Sequence, residues 1–135
     1  MLKAFPFTIF PLLAFNALVF LLPDRLGGDW ASAQLTIDLF SNGSLTLTAS
    51  DLMILFGLLF LLIEMLRAAS AGRGAIANHL ASIIVLLIYV AELLVVPEAA
   101  NATFVVLTAI ALLDVLAGIT VSMRAATRDV NIAGL

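Results

Sequence analysis

Three carboxyl side chains lie inside long apolar stretches of this sequence, where an ionisable group is most able to do chemistry. They are Glu64, Glu92 and Asp114, and each belongs to a different apolar stretch. A charged carboxylate at the centre of a bilayer costs roughly 3 kcal/mol or more unless it is partnered or protonated. Such a group can carry a proton, bind a cation or anchor a neighbouring helix.

Asp114 is the deepest of the three, about ten residues or roughly 15 Å from the inner end of its helix. At a similar depth, Asn16 and Tyr89 offer side chains that can hydrogen-bond to it. Two interpretations stay open. Asp114 is either a proton- or cation-handling group or a neutral, hydrogen-bonded structural residue.

Glu64 lies near the predicted cytoplasmic boundary, and Arg67 follows it at the i+3 position. This spacing favours a local ion pair, with the arginine head reaching toward water. His79 begins the next apolar stretch at the same level. A Glu64–His79 contact would respond to pH near neutrality, whereas the plain alternative is an interfacial histidine.

A polar stripe runs along the stretch from Ile76 to Val96. Its members are Asn78, Ser82, Tyr89 and Glu92. Steps of four, seven and three place them on one helical face, and lipid cannot satisfy such a face. The stripe is therefore expected to face other helices. Glu92, near the outer end, lacks an obvious partner within the chain and is expected to meet something outside it.

Composition excludes several function classes. Of 135 residues, 64% are hydrophobic and 11% charged, and the chain has no cysteine and one histidine. Thiol chemistry, a bis-histidine haem, a metal cluster and a hydrolase triad therefore lack their residues. The six basic residues are scattered, which disfavours nucleic-acid binding. No cofactor is predicted, and the protein is predicted not to be an enzyme.

The mean hydropathy of +1.22 predicts an all-α membrane protein with a single domain over residues 1–135. Four apolar stretches of about the length of a bilayer predict a four-helix bundle; they are about 5–22, 51–68, 76–96 and 103–123. Pro11 either kinks the first helix or marks its true beginning. Short linkers predict that the second and third helices are antiparallel neighbours. Residues 124–135 are expected to form a short tail that is partly frayed.

Helix starts are predicted from capping residues. Thr48 or Ser50, together with Asp51, suits the start of the second helix, and Thr103 suits the start of the fourth. Ala31-Ser32-Ala33 resembles a processing site. The apolar run before it is longer than a usual signal core and ends well upstream, so the first stretch is interpreted as a span.

A β-hairpin over about 34–48 is predicted from alternating apolar and polar residues around a Ser-Asn-Gly-Ser turn. An odd-length loop, Asn42 to Ser44, keeps one face apolar by pairing Leu39 with Leu47 and Ile37 with Ala49, and a β-bulge is the alternative. The predicted partner-binding surface is that face, made of Leu35, Ile37, Leu39 and Leu47. It must cover the helix ends, the membrane surface or a partner. Trp30 is expected to be an interface anchor.

The positive-inside rule predicts that both termini are cytoplasmic and that the hairpin is extracytoplasmic. Five basic residues then lie inside, namely Lys3, Arg67, Arg73, Arg124 and Arg128, and only Arg25 lies outside. A bacterial inner membrane is the predicted location.

Two functions are chiefly consistent with the sequence, and a lipid- or quinone-handling enzyme is a third and weaker hypothesis. The first is a non-enzymatic accessory, assembly or scaffold subunit that contacts membrane lipids and other integral membrane proteins or copies of itself. The larger complex would be one of the respiratory or photosynthetic kind. The second is a small oligomeric transporter or channel for protons, ions or small molecules, in which the intramembrane carboxylates line the pathway.

Overall fold

A computed structural model describes residues 5–22, 29–70 and 75–133. The elements are, in order: α1 (Ile9–Asn16), a π-helical turn (Ala17–Leu21), β1 (Ala33–Asp38), β2 (Ser44–Thr48), α2 (Ala49–Ser70), α3 (Ala75–Val95), a 3₁₀ turn (Pro97–Ala99) and α4 (Ala102–Ala133). The protein is thus mostly helical, with one antiparallel hairpin. Lys3, Arg25 and Arg73 lie outside the described residues, so the orientation stays a prediction.

Three helices are long and apolar enough to cross a membrane, over Ala49–Ala68, Ala77–Val95 and Ala102–Thr120. Only 28%, 22% and 39% of these segments are buried within the protein, so most of their apolar surface faces outward. That surface is far larger than a water-soluble protein of this size usually exposes, and it is suited to lipid.

The predicted first span is shorter than expected. Its helical part runs over Ile9–Leu21, which corresponds to about 20 Å at 1.5 Å per residue. The helix begins at Ile9, so Pro11 lies in its first turn, where the missing N–H has no intrahelical partner to lose. Of the two interpretations of Pro11, the structure favours the one in which this proline marks the beginning of the helix. A fourth full-length span over 5–22 is not confirmed.

The fourth helix is the centre of the bundle, because α2 and α3 each pack most extensively against α4. The expected close pairing of α2 with α3 is wrong along most of their length. They meet near their connection, where Glu64 and Arg67 reach Asn78. Gly57 permits the close approach of α2 to α4, since a Cβ there would lie 2.8 Å from Leu107 Cδ2.

The start of α2 is capped as predicted by Thr48. Its hydroxyl accepts the Asp51 N–H at 3.2 Å, and Asp51 Oδ2 accepts the Thr48 N–H at 2.9 Å. This reciprocal arrangement is a capping box. Ser50 has another role and accepts a 2.8 Å hydrogen bond from the Thr103 hydroxyl.

Two predictions about α4 are wrong. Asn101, and not Thr103, caps the helix, because Asn101 Oδ1 accepts the Phe104 N–H at 3.0 Å. The helix begins at Ala102, one residue earlier than expected, and the Thr103 side chain is buried inside the bundle. At the other end the expected frayed tail is helical as far as Ala133.

The hairpin loop has an odd length, as predicted, but it spans Phe40 to Asn42 and not Asn42 to Ser44, so the register differs. Ile37 pairs with Leu45 and Leu35 with Leu47, so the predicted pairing of Leu39 with Leu47 is wrong. The Leu39 N–H donates to the Gly43 carbonyl at 2.8 Å, and Asn42 has a φ of 60°. A left-handed asparagine closes this three-residue loop without a glycine. The apolar side chains still share one face.

Trp30 is a core residue and not an interface anchor. Its ring stacks on Phe15, with centroids 4.9 Å apart and planes 5° apart, and it is 9% exposed. Phe15 also packs on Phe104 at 4.6 Å. The start of the hairpin segment is therefore fixed to α1 and α4 by an aromatic cluster.

Candidate functional site: polar contacts along the first helix

Glu64 accepts more hydrogen bonds than any other carboxylate among the described residues. It is 1% exposed, and its Oε2 accepts the backbone N–H of Phe7 at 3.0 Å. Arg67 donates to Oε1 at 2.7 Å and to Oε2 at 2.9 Å, and the Asn78 amide donates to Oε1. One carboxylate of α2 thus joins the chain segment before α1 to the start of α3.

Arg67 also contacts the other members of this cluster, Asn78 and Phe7. The guanidinium also donates to Asn78 Oδ1, and its central carbon lies 4.5 Å from the centre of the Phe7 ring. A cation placed over an aromatic face is attracted by the ring quadrupole. The predicted Glu64–Arg67 ion pair is therefore present, and it also holds Phe7.

Asp114 is buried and accepts a 3.1 Å hydrogen bond from the Thr8 hydroxyl to Oδ2. Ser82 lies within hydrogen-bonding reach of the same carboxyl group. Tyr89 does not contact Asp114 directly, since its hydroxyl donates to the Thr8 backbone carbonyl at 3.0 Å. Of the two predicted partners, Tyr89 is joined to Asp114 through Thr8, and Asn16 lies elsewhere.

Asn16 lies near Glu92, about two helical turns after Thr8. Its side-chain amide donates to the Leu12 carbonyl at 3.0 Å. Glu92 Oε1 is buried and has no hydrogen-bond partner within the described part of the chain. Asn16 is thus a neighbour of Glu92 that the sequence did not predict, and a contact of Glu92 with something outside the chain stays a prediction.

His79 faces α4 and not Glu64. A Cβ placed on Gly118 would lie 2.7 Å from His79 Nδ1, so the imidazole occupies the space that this glycine leaves open. Nδ1 is buried without a hydrogen-bond partner among the residues described. The predicted Glu64–His79 contact is replaced by Glu64–Asn78, because successive residues of a helix point about 100° apart.

The polar stripe of α3 therefore faces inward as predicted. Ser82 and Tyr89 are buried, whereas Asn78 and Glu92 are partly buried at the two ends.

Sequence reasoning missed Phe7 and Thr8. The available signal was a threonine two residues after Pro6, where helix-starting residues are common.

The three carboxyl groups differ in charge compensation. Glu64 has Arg67 as an ionic partner, whereas Asp114 and Glu92 have no basic group within hydrogen-bonding distance in the described ranges. The start of α1, whose backbone dipole is positive there, lies beside Glu64 and Asp114. Glu64 accepts the Phe7 N–H and Asp114 accepts the Thr8 hydroxyl, so carboxyl groups of two other helices hold the residues that lead into α1.

These contacts do not form a continuous proton path. The Tyr89 hydroxyl donates to a carbonyl oxygen of Thr8, which accepts a hydrogen bond but has no proton to pass on. Nor do the described residues contain a group of three His, Cys, Asp or Glu side chains that could hold a metal ion. The arrangement is chemically suited to positioning α1.

No family model, no curated protein and no solved structure matches this chain.

Proposed function

We propose that the protein is a non-enzymatic accessory, assembly or scaffold subunit of the bacterial inner membrane. It associates through its extracytoplasmic hairpin with a larger membrane complex, of the respiratory or photosynthetic kind, or with copies of itself. One observation carries the proposal, which is that the apolar face of the hairpin is uncovered. Leu35, Ile37, Leu39 and Leu45 are each 43–46% exposed.

An isolated two-stranded hairpin is barely stable in water and usually needs a covering surface. Leu47, next to α2, is partly buried, but the other apolar residues project away from the helices. The two strands pair only with each other among the described residues, so each has an outer edge. An exposed edge beside an apolar face supports strand addition by a partner.

The buried polar groups support the same proposal. Glu64 and Asp114 accept hydrogen bonds from the residues at the start of α1, which is a structural use of both carboxyl groups. The predicted orientation places both termini in the cytoplasm. A cysteine at Asn42 should then react with an impermeant reagent in intact spheroplasts, and labelling only after lysis would refute this topology.

The assembly role is tested by co-purification from native membranes in mild detergent. The wild-type chain should bring down other membrane proteins, or itself, in a fixed ratio. Ile37→Ser with Leu45→Ser should reduce this recovery at least tenfold, because the two residues form an exposed cross-strand apolar pair. The control is Thr36→Ser with Thr46→Ser, a cross-strand pair on the opposite face. A clean monomer, or equal losses in both variants, would contradict the proposal.

A second candidate is the small oligomeric transporter or channel for protons or ions. The observation in its favour is that Asp114 and Glu92 lack a hydrogen-bonded basic partner in the described chain. Reconstituted vesicles would then show a flux that Asp114→Asn abolishes and Thr36→Ser does not. The interrupted hydrogen-bond chain at Thr8 makes this the weaker proposal.

A further inference from the structure

An apolar groove of about 730 Å³ lies between α1, its π-helical extension and the first half of α2. Its lining residues are Ala14, Leu18, Leu22, Gln34, Ala49, Leu52, Met53 and Phe56. The groove is separate from the polar contacts of Glu64 and Asp114, and none of those carboxyl groups lines it. Its volume lies within the usual range of small-molecule sites.

The lining is arranged by polarity. Gln34, on β1, is the single polar side chain among the described lining residues, and the others are apolar. One Gln34 N–H donates to the Ser32 hydroxyl at 2.9 Å. The amide also carries a second N–H and a carbonyl oxygen. The groove therefore suits a molecule with a neutral polar group at the hairpin end and an apolar chain below it.

The position of the groove matches one leaflet of a bilayer. Its α2 side runs from Ala49 to Phe56, the first residues of a candidate membrane span. Eight residues of helix rise about 12 Å, against about 15 Å for half of the hydrocarbon core. Gln34 then lies near the boundary between headgroups and chains.

The mouth of the groove continues into the apolar outer surface. Leu22, Leu52 and Phe56 at the mouth are 47%, 38% and 36% exposed. Water is a poor occupant, since it needs two or more polar partners in such a space. A lipid chain, in contrast, is present at high concentration at this depth and gains apolar contact.

We propose that this groove binds one acyl chain of a bilayer phospholipid, with the Gln34 amide donating to the ester carbonyl at the head of that chain. The described lining residues include no charged side chain, so they recognise the ester and the chain and not the phosphate. This inference rests on the membrane placement proposed above and is independent of the assembly role.

The test uses the full chain purified in mild detergent from phosphatidylcholine bilayers, with bound lipid counted by native mass spectrometry. Wild-type protein should retain one phosphatidylcholine per chain. Ala14→Trp fills the groove and should lower occupancy at least tenfold. The matched control is Ala91→Trp, at an exposed position of α3, which should leave occupancy unchanged.

A second variant keeps the proposal testable if Ala14→Trp does not fold. Gln34→Leu changes an exposed hairpin residue and should release the lipid at severalfold lower detergent concentration while the helical content stays constant. Equal retention in Ala14→Trp and Ala91→Trp would overturn the proposal by showing only nonspecific surface lipid. An isoprenoid or free fatty acid in the groove would overturn it as well. Recovery of the wild-type chain in the soluble fraction, and not in sedimented membranes, would instead refute the membrane placement on which this proposal rests.

Discussion

The Thr8 hydroxyl donates to Asp114 Oδ2 across 3.1 Å, although the two residues are 106 positions apart. The neighbouring Phe7 N–H donates at the same time to Glu64 Oε2. Consecutive residues before a short helix are thus held by carboxyl groups of two other helices. A helix of about 20 Å gains little from its own hydrogen bonds, so these contacts largely decide where it lies.

The Thr8–Asp114 bond should be worth about 1 kcal/mol, as for a typical buried hydrogen bond. Asp114→Asn keeps an acceptor of the same shape and should change the free energy of unfolding by less than that. Thr8→Val should lower it by about 1 kcal/mol, since it leaves the Asp114 oxygen unsatisfied. A double-mutant cycle in detergent measures the coupling, and a coupling near zero would show that the bond does not stabilise the fold.

Loss of Arg67 should lower the free energy of unfolding more than loss of the Glu64 charge. Arg67→Met leaves a carboxylate that is 1% exposed without its cation, whereas Glu64→Gln leaves an arginine whose side chain is 23% exposed. We expect about 3 kcal/mol of destabilisation for Arg67→Met and clearly less for Glu64→Gln. Thermal unfolding of both variants and of the double variant is the measurement. The opposite order would refute the buried-pair interpretation.

His79 should report directly on the packing of α3 against α4. A Cβ at position 118 would lie 2.7 Å from His79 Nδ1, so Gly118→Ala must displace the imidazole. Because the chain has one histidine, its ¹⁵N resonances are assigned without ambiguity. The variant should shift both ring nitrogens, whereas Ala91→Ser on the exposed face should not. Unchanged spectra in Gly118→Ala would contradict this contact.

The Phe15–Trp30 stack should be visible by fluorescence, because Trp30 is the single tryptophan. Phe15→Leu removes a stacked ring worth about 1 kcal/mol beyond its buried area. Its emission should shift to the red relative to wild type. Phe56→Leu, which alters an aromatic residue outside this stack, is the control. Equal spectra for all three proteins would mean that Trp30 is not packed on Phe15.

Hairpin geometry gives a separate prediction at Asn42, whose φ is 60°. Asn42→Gly should be tolerated, whereas Asn42→Val should destabilise the hairpin by roughly 1–2 kcal/mol, because a β-branched residue is strained in this conformation. Amide hydrogen exchange at Leu39, whose N–H donates to the Gly43 carbonyl, measures the local effect. Equal protection in both variants would argue against the left-handed turn.

Much of this architecture follows from local sequence. Apolar length alone predicts the three long helices, and alternation predicts the hairpin, since both depend on period and composition. The Thr48–Asp51 cap and the inward-facing stripe with Tyr89 are also local consequences, because residue spacing fixes which side chains share a face.

Tertiary structure decided which groups meet. Sequence spacing offered His79 to Glu64 at one level, but the rotation of α3 about its axis brings Asn78 there instead. It offered Tyr89 and Asn16 to Asp114, but the start of α1 places Thr8 there and leaves Asn16 beside Glu92. The hairpin register likewise depends on where the loop closes. Small axial shifts and rotations barely alter apolar burial, yet they change every polar partner, because hydrogen bonds need atoms within about 3 Å.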